Sequence, residues 1–197
     1  MRINISKYLL FYIGMVSFIL LSGFDIDLIH EKLEEGDRLI SDKKYVEADK
    51  IFYEVLQEIN EGQPNPQEEL SRNIVFPRIY FRLGEIQNRQ EKYENAKSYF
   101  EKVVNLQFES YWDVKAFFNI GLIDYGFKNY KEARGSFHRV VTKYPDSEEA
   151  PKSLYYIGLS YELEGIKTEA EKSFKEFLEL FPEHPLEEKV KLKINIK

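Results

Sequence analysis

Four pairs of adjacent glutamates, Glu34–Glu35, Glu68–Glu69, Glu148–Glu149 and Glu187–Glu188, and three histidines, His30, His138 and His184, are the residues here whose types suit catalysis or metal binding. Paired carboxylates do general acid–base work when burial keeps one protonated beside an ionised neighbour. These pairs stand at polar helix starts and in loop-like stretches, so they read as surface charge. The histidines lie far apart, and no cysteine is present to complete a site with them. A multi-histidine or cysteinyl metal site is therefore not expected. His30 reads as a solvent or contact residue, His138 as a packed or exposed helix residue, and His184 as part of a closing turn. No GxGxxG, GxxxxGK, HExxH or GxSxG pattern occurs. The sequence points away from an enzyme and implies no cofactor.

Composition narrows the classes further. The net charge is −6, which argues against a non-specific nucleic-acid binder, since phosphate backbones are held by a basic face. Aromatic residues make up 15% of the chain, so a substantial core must bury many of them. With 10 glycines and 7 prolines in 197 residues, a loop-rich β architecture is disfavoured.

The N-terminus carries Arg2 and Lys7, then the uncharged run Tyr8–Leu21, then Ser22, Gly23 and Phe24 before acidic Asp25 and Asp27. A basic start, an apolar stretch and small residues after it form a secretory pattern. Residues 8–24 as a helix would measure about 25 Å, marginal against a hydrocarbon core of about 30 Å. Besides the plain reading of a buried first helix, two readings of residues 1–24 stay open, a cleaved signal and an uncleaved anchor touching the membrane through residues 8–24. The charge asymmetry places the remainder outside the cytoplasm in both.

A fixed interval organises that remainder. Gly84, Gly121 and Gly158 are each 37 residues apart, as are Ala96, Ala133 and Ala170, and Phe100, Phe137 and Phe174. Val103, Val140 and Phe177 keep the interval, as do Phe108, Pro145 and Pro182. An earlier copy, Gly36, Tyr45, Ala48, Phe52 and Val55, has the same internal spacing, displaced by the 11 residues Glu61–Ser71. That insert is rich in Glu, Gln, Pro and Asn and reads as a loop. An internal repeat of this length points to a solenoid. Each copy reads as two helices. In the last, Leu154, Ile157, Gly158 and Tyr161 share one face, Gly165 ends the helix, and Ala170, Phe174, Phe177 and Leu178 share a second face before Pro182. Two rods joined by a short turn must approach closely. Glycine on one and alanine on the other permit that, with phenylalanine filling the wedge.

These columns resemble the tetratricopeptide repeat. The matching elements are Leu83–Gly84, Ile120–Gly121 with Tyr125, Ile157–Gly158 with Tyr161, and the Ala-x-x-x-Phe pairs. The usual repeat is 34 residues, so each unit here is three longer. The resemblance implies an all-α, right-handed superhelical solenoid of four hairpins. Its units are expected at about 25–60, 73–109, 112–146 and 149–183, with a loop at 61–72. This repeat domain spans 25–185, and a basic C-terminal cap or tail follows at 186–197. The phrase Tyr144–Gly165 and the longer period resemble more narrowly the periplasmic outer-membrane assembly lipoproteins of the BamD type and the Tol–Pal-associated repeat proteins. Phe24 stands where those lipoproteins carry a lipidated cysteine, and neither five repeats nor a preceding coiled coil is visible.

The family's first helices line a concave face. By the helical period, that places one column at Leu33, Phe81, Phe118 and Tyr155, a second at Asp37, Glu85, Leu122 and Leu159, and a third at Asn88, Tyr125 and Glu162. Such a mixed aromatic and acidic face suits an extended peptide or a partner's helix. The same aromatics would equally serve to pack neighbouring units or the C-terminal tail. Only Lys115 and Asn119 hint at a carboxylate clamp, and none is expected. The tail Leu186–Lys197 reads as a short capping helix or, from its alternation of Val190, Leu192, Ile194 and Ile196, as a strand. The expected function is a non-catalytic protein-binding scaffold in the bacterial envelope, periplasmic or held at the inner membrane. The narrower resemblance implies support of outer-membrane protein assembly. The alternative is an adaptor in another envelope, cell-wall or secretion complex.

Overall fold

Each hairpin closes on one contact. A Cβ built on Gly36 would lie 2.6 Å from the ring of Phe52, and the same contact recurs at 2.7 Å for Gly84 and Phe100, 2.6 Å for Gly121 and Phe137, and 2.5 Å for Gly158 and Phe174. In every case the ring comes from the residue 16 positions downstream. Any side chain at the glycine would occupy the space of the ring, so the two helices reach this separation only without one.

The computed structural model describes residues 26–61 and 66–194, without the side chains of residue 26 and residues 60–72. The expected export segment, residues 62–65 of the expected loop and residues 195–197 lie outside the described residues. The described residues form nine helices and no strand: α1 Ile26–Ser41, α2 Tyr45–Glu61, α3 Pro66–Arg89, α4 Tyr93–Asn105, α5 Tyr111–Gly126, α6 Tyr130–Lys143, α7 Glu149–Leu163, α8 Lys167–Leu180 and α9 Glu187–Lys193. They are the helical hairpins of a tetratricopeptide-like solenoid, as the repeat pattern requires. The chain divides into two compact units, one ending at Val75 and the other beginning at Phe76.

The expected loop over 61–72 is mostly helix. Helix α3 starts at Pro66, seven residues ahead of the expected unit. Proline is well tolerated in a first helical turn, because its missing N–H has no intrahelical partner there. A second proline, Pro77, sits inside α3 beside the division between units, where it removes one backbone hydrogen bond from the helix.

In the first unit, α1 and α2 pair through Ile29, Leu33, Ala48, Phe52 and Val55, all buried. Lys32 donates to Glu58 across the pair at 2.7 Å. In the second unit each helix from α4 onward packs on the next, and the first helices α5 and α7 also touch. Two core clusters follow the repeat. One joins Phe81, Ala96 and Phe100 to Ala116, Ile120 and Ile123 of the next hairpin. The other joins Ala133 and Phe137 to Leu154, Ile157, Ala170 and Phe174. Within the second unit, the hairpins α3–α4 and α5–α6 therefore each complete their core with the following one.

The turns repeat as faithfully as the core. Lys43, Glu91, Lys128 and Gly165 occupy one column and all take left-handed φ, at 61°, 61°, 64° and 78°. The residue after each donates its N–H to the carbonyl five positions back, at 2.8 Å for Lys44 to Leu39, 2.9 Å for Lys92 to Gln87, 2.8 Å for Asn129 to Asp124 and 2.9 Å for Ile166 to Tyr161. This is the Schellman closure, which satisfies helix-end carbonyls. Between hairpins, α5 opens on a capping box, in which the Asp113 carboxylate accepts the Ser110 N–H at 2.7 Å and the Ser110 hydroxyl at 2.6 Å.

The tail takes the capping-helix form. Val190 of α9 is fully buried and packs in the cluster of Phe174 and Phe177, with Ile194 against it.

Two glycine substitutions should change stability in opposite directions. Gly121→Ala places a methyl into the Phe137 ring and should cost about 1–2 kcal/mol net of the helix propensity gained. Gly135→Ala, where an added Cβ meets nothing within 4 Å, should stabilise by up to about 1 kcal/mol. Urea unfolding of the full chain measures both. Equal effects at the two sites would remove the steric account of the hairpin.

Candidate protein-binding face

The three expected columns of the first helices differ in what they touch. In the column three residues before each glycine, the rings face their own hairpin. Phe81 lies 5.3 Å from Phe100, Phe118 5.8 Å from Phe137, and Tyr155 6.0 Å from Phe174, centroid to centroid. Leu33 and Phe81 are 2% and 6% exposed and present almost no surface. Phe118 and Tyr155 are half-buried, so each backs the wedge phenylalanine while keeping one part of its ring in reach of solvent.

The column after each glycine is more open. Glu85 accepts from Arg82 at 2.8 Å and pairs with Arg89 at 3.5 Å on the same helix. Leu122 and Leu159 are half-buried beside the last hairpin's core. In the third column, Asn88 and Tyr125 are half-buried and Glu162 is exposed. Burial raises the pKa of the Tyr125 hydroxyl, with the nearby Tyr130 as a lesser cause. Glu162 accepts from Lys193 of α9 at 2.6 Å, which ties the cap to the last rung of the face.

Tyr156 was not marked by any column, yet it is a hub. Its ring lies 6.2 Å from Phe118, 5.1 Å from Tyr125, 5.4 Å from Phe137 and 6.1 Å from Tyr155. Its repeat equivalents are Arg82 and Asn119, so chemical identity hides the position. A cleft of about 330 Å³ was also not anticipated. It lies between α3 and α5 at their turn ends, bounded by Asn88, Asn119, Leu122, Tyr93 and Phe127.

Ion pairs join successive hairpins. Lys97 of α4 meets the buried Asp124 of α5 at 2.6 Å, and Arg134 of α6 meets Glu164 at the end of α7. The Arg134 guanidinium also stacks 4.1 Å from the Tyr161 ring centroid. Lys97 and Arg134 are repeat equivalents, each directly after the column alanine. Burial opposes the charge on Lys97, but the hydrogen bond and charge of Asp124 outweigh it and raise its pKa. Lys115 and Asn119 are committed within the protein. Lys115 pairs with Glu149 at 3.0 Å, and the Asn119 Nδ2 donates to the Lys115 carbonyl at 2.8 Å.

The histidines have structural surroundings. His30 is 4.0 Å from Glu34. The His184 ring packs 5.6 Å from Phe177, and its Nδ1 accepts the Leu186 N–H at 3.1 Å. His138 is exposed on α6. Among the described residues no group of three or more histidine or acidic side chains is placed to hold a metal ion, and no helix is long and apolar enough to cross a membrane.

Lys97→Met leaves Asp124 buried without its cation and should cost about 1–3 kcal/mol near neutral pH. The sign with pH follows from the raised Lys97 pKa. Its contribution is complete below the unfolded value of about 10.4 and is lost as pH rises through the folded value. Denaturant unfolding at neutral pH and at pH about 11 should therefore show the variant and the wild type converging at the alkaline end. A constant difference would assign the cost to packing.

Comparison with known proteins agrees with this geometry. Profiles of the tetratricopeptide repeat match residues 77–110, 115–147 and 152–184, together about half of the chain. The chain is similar in fold to a tetratricopeptide repeat protein from Parabacteroides merdae ATCC 43184, with TM-score 0.66 and 17% identity over 85% of this chain and 58% of that one. It is similar to MamA from Desulfovibrio magneticus RS-1, with TM-score 0.62 and 17% identity over 89% and 88% of the two chains. It is also similar to YrrB, described as a tetratricopeptide repeat protein with an unusual peptide-binding site, with TM-score 0.61 and 20% identity over 85% and 76%. No curated protein matches the chain in sequence.

Proposed function

The chain belongs to the tetratricopeptide repeat family of protein-binding scaffolds, and from that premise we propose that the first-helix face of its second unit binds a protein partner in the bacterial envelope. The observation that carries this reading is the half-buried apolar row Phe118, Leu122, Tyr125, Tyr155 and Leu159 on consecutive first helices. These side chains keep exposed area on one face of a rigid array, which is the arrangement an extended segment or an amphipathic helix can cover. The partner is a protein and the role is non-catalytic scaffolding.

The envelope assignment rests on the basic, apolar and small-residue pattern of residues 1–24. Support of outer-membrane protein assembly is the finer reading, drawn from the resemblance over Tyr144–Gly165. Phe24 in place of a lipidated cysteine favours the second reading, an adaptor in another envelope, cell-wall or secretion complex.

The test uses the full chain in its own envelope. Leu159→Lys puts a charge on the face and leaves Gly158 and Phe174 themselves unchanged. It should weaken partner binding at least about tenfold, or 1.4 kcal/mol, with helicity by circular dichroism retained. Crosslinked partners identified by mass spectrometry from detergent-solubilised envelope measure the difference. An unchanged set of partners would move the interface off this face. Recovery of β-barrel assembly components with the wild type would select the finer reading. Protection of the repeats from protease in spheroplasts would refute the extracytoplasmic location.

A further inference from the structure

The outward stripes of the second helices have no steric duty in the repeat, so departures from the pattern there are informative. The same four positions recur at Val46, Lys50, Tyr53 and Gln57 in α2 and at Lys131, Gly135, His138 and Thr142 in α6, all exposed. Val46 and Tyr53 are 75% and 49% exposed. Their repeat equivalents are polar in every other hairpin, Glu94, Lys131 and Thr168 for the first and Glu101, His138 and Lys175 for the second. Gly135 is the one glycine in its column, which otherwise holds Lys50, Ser98 and Lys172. A Cβ there would meet nothing within 4 Å, and an exposed glycine inside a helix costs about 1 kcal/mol against alanine. Neither the wedge nor the turn requires that cost. Charge divides along the same lines. Residues 27–58 carry ten carboxylates against five lysines and arginines, and residues 128–143 carry five lysines and arginines against one carboxylate.

We propose that these two stripes meet between copies of the chain: α2 of one copy lies antiparallel on α6 of a second, with the Tyr53 ring over the bare backbone at Gly135. Both stripes advance by the same steps of four, three and four residues. In the antiparallel register the other rungs therefore fall as Val46 on Thr142, Lys50 on His138 and Gln57 on Lys131. Val46 meets a methyl group, and the Lys50 cation meets an imidazole that is mostly uncharged above pH 7. In the parallel register Val46 would face the Lys131 ammonium and Lys50 would take the place of the ring over Gly135. Beside the rungs, the exposed carboxylates of Glu47 and Glu54 approach Lys143 and Lys131. Glu54 and Lys143 exchange weak exposed pairs for these contacts, with Lys50 at 3.6 Å and with Glu109 at 3.8 Å. The missing side chain at Gly135 lets a flat ring lie on the helix, and tyrosine supplies that area with few rotamers to lose. One helix pair is a small interface built on exposed charge, so the association is weak and falls with salt. It uses second helices and stands independently of the first-helix face proposed above.

The chain has no cysteine, so single introduced thiols report one contact each. Two preparations of the detergent-solubilised full chain, carrying different tags, are mixed and oxidised, one with Val46→Cys and the other with Thr142→Cys. Rates of mixed-tag disulfide formation are normalised to the reaction of each thiol with a small soluble disulfide. This pair should crosslink at least about fivefold faster than Val46→Cys with Lys131→Cys, whose positions face each other only in the parallel register. Sodium chloride at about 0.5 M should remove most of the preference. Gly135→Gln on the Thr142→Cys chain covers the bare backbone from an open helix position. It should abolish the preference while thermal stability stays at or above the wild-type value. Glu47→Lys on the Val46→Cys chain should slow the reaction, and Lys143→Glu on the Thr142→Cys chain should restore it, which requires a contact between copies. Chance encounters within one micelle would crosslink both thiol pairs alike. Equal normalised rates for the two pairs, an undiminished preference with Gly135→Gln, or no restoration by the exchanged charges would each overturn the proposed contact.

Discussion

A phenylalanine ring resting on a bare glycine Cα holds each hairpin together. The contact appears four times, always at the same spacing and always within 2.5–2.7 Å of where a Cβ would stand. It fixes the distance between the two helices of a pair. It also fixes where every other side chain can go. With the ring wedged between the rods, the residue three positions before the glycine meets the ring's other side. The next hairpin then packs on the alanine one turn before the phenylalanine, as Ala96 with Ala116 and Ile120 shows. Helices of this length are marginal alone in water, so their stability comes from these contacts rather than from propensity.

That geometry explains why the aromatic content is high while the candidate face offers modest aromatic surface. Phe81, Phe118 and Tyr155 reach the wedge before they reach a ligand. The face is therefore built one helical turn further along, from Leu122, Tyr125 and Leu159, and from the ring of Tyr156 beneath them. Specific ion pairs between hairpins add register. Asp124 is buried, and its contact with Lys97 joins α4 to α5 across the seam between hairpins.

The architecture was legible in the sequence because small and aromatic residues recur at one interval, and each has a steric role that no other residue type fills. Gly84, Ala96 and Phe100 are recognisable as a set for that reason. The three non-glycine turn residues were not legible. Lys43, Glu91 and Lys128 take the conformation that Gly165 takes cheaply, because the Schellman bonds and the packed hairpin override their local preference. The insert was misread as loop over residues 66–71, since its prolines suggested irregular backbone where Pro66 opens a helix. On the face, a column names which residues share a direction, and it does not say how deep they lie. Leu33 and Phe81 belong to the column and are buried. Tyr156 and Phe127 stand in no column, and Tyr93 stands in the column of Tyr45 and Tyr130, which gives its place in the repeat and not the ring of Phe127 that it meets.

A stack of like hairpins has no intrinsic end, and the last described hairpin differs from the earlier ones in charge as well as in the short helix that covers it. Lys97 and Arg134 each reach forward to an acid on the following hairpin. The equivalent position in the last hairpin is Glu171. A further first helix bearing an acid where α5 carries Asp124 would meet like charge there, which opposes docking. The helix that does cover this end is seven residues long and basic in its last turn. It buries Val190 against Phe174 and Phe177, and Lys193 reaches back to Glu162 rather than onward. The apolar surface of the last described hairpin is thus covered, and on it the electrostatic complement that joins one hairpin to the next is reversed.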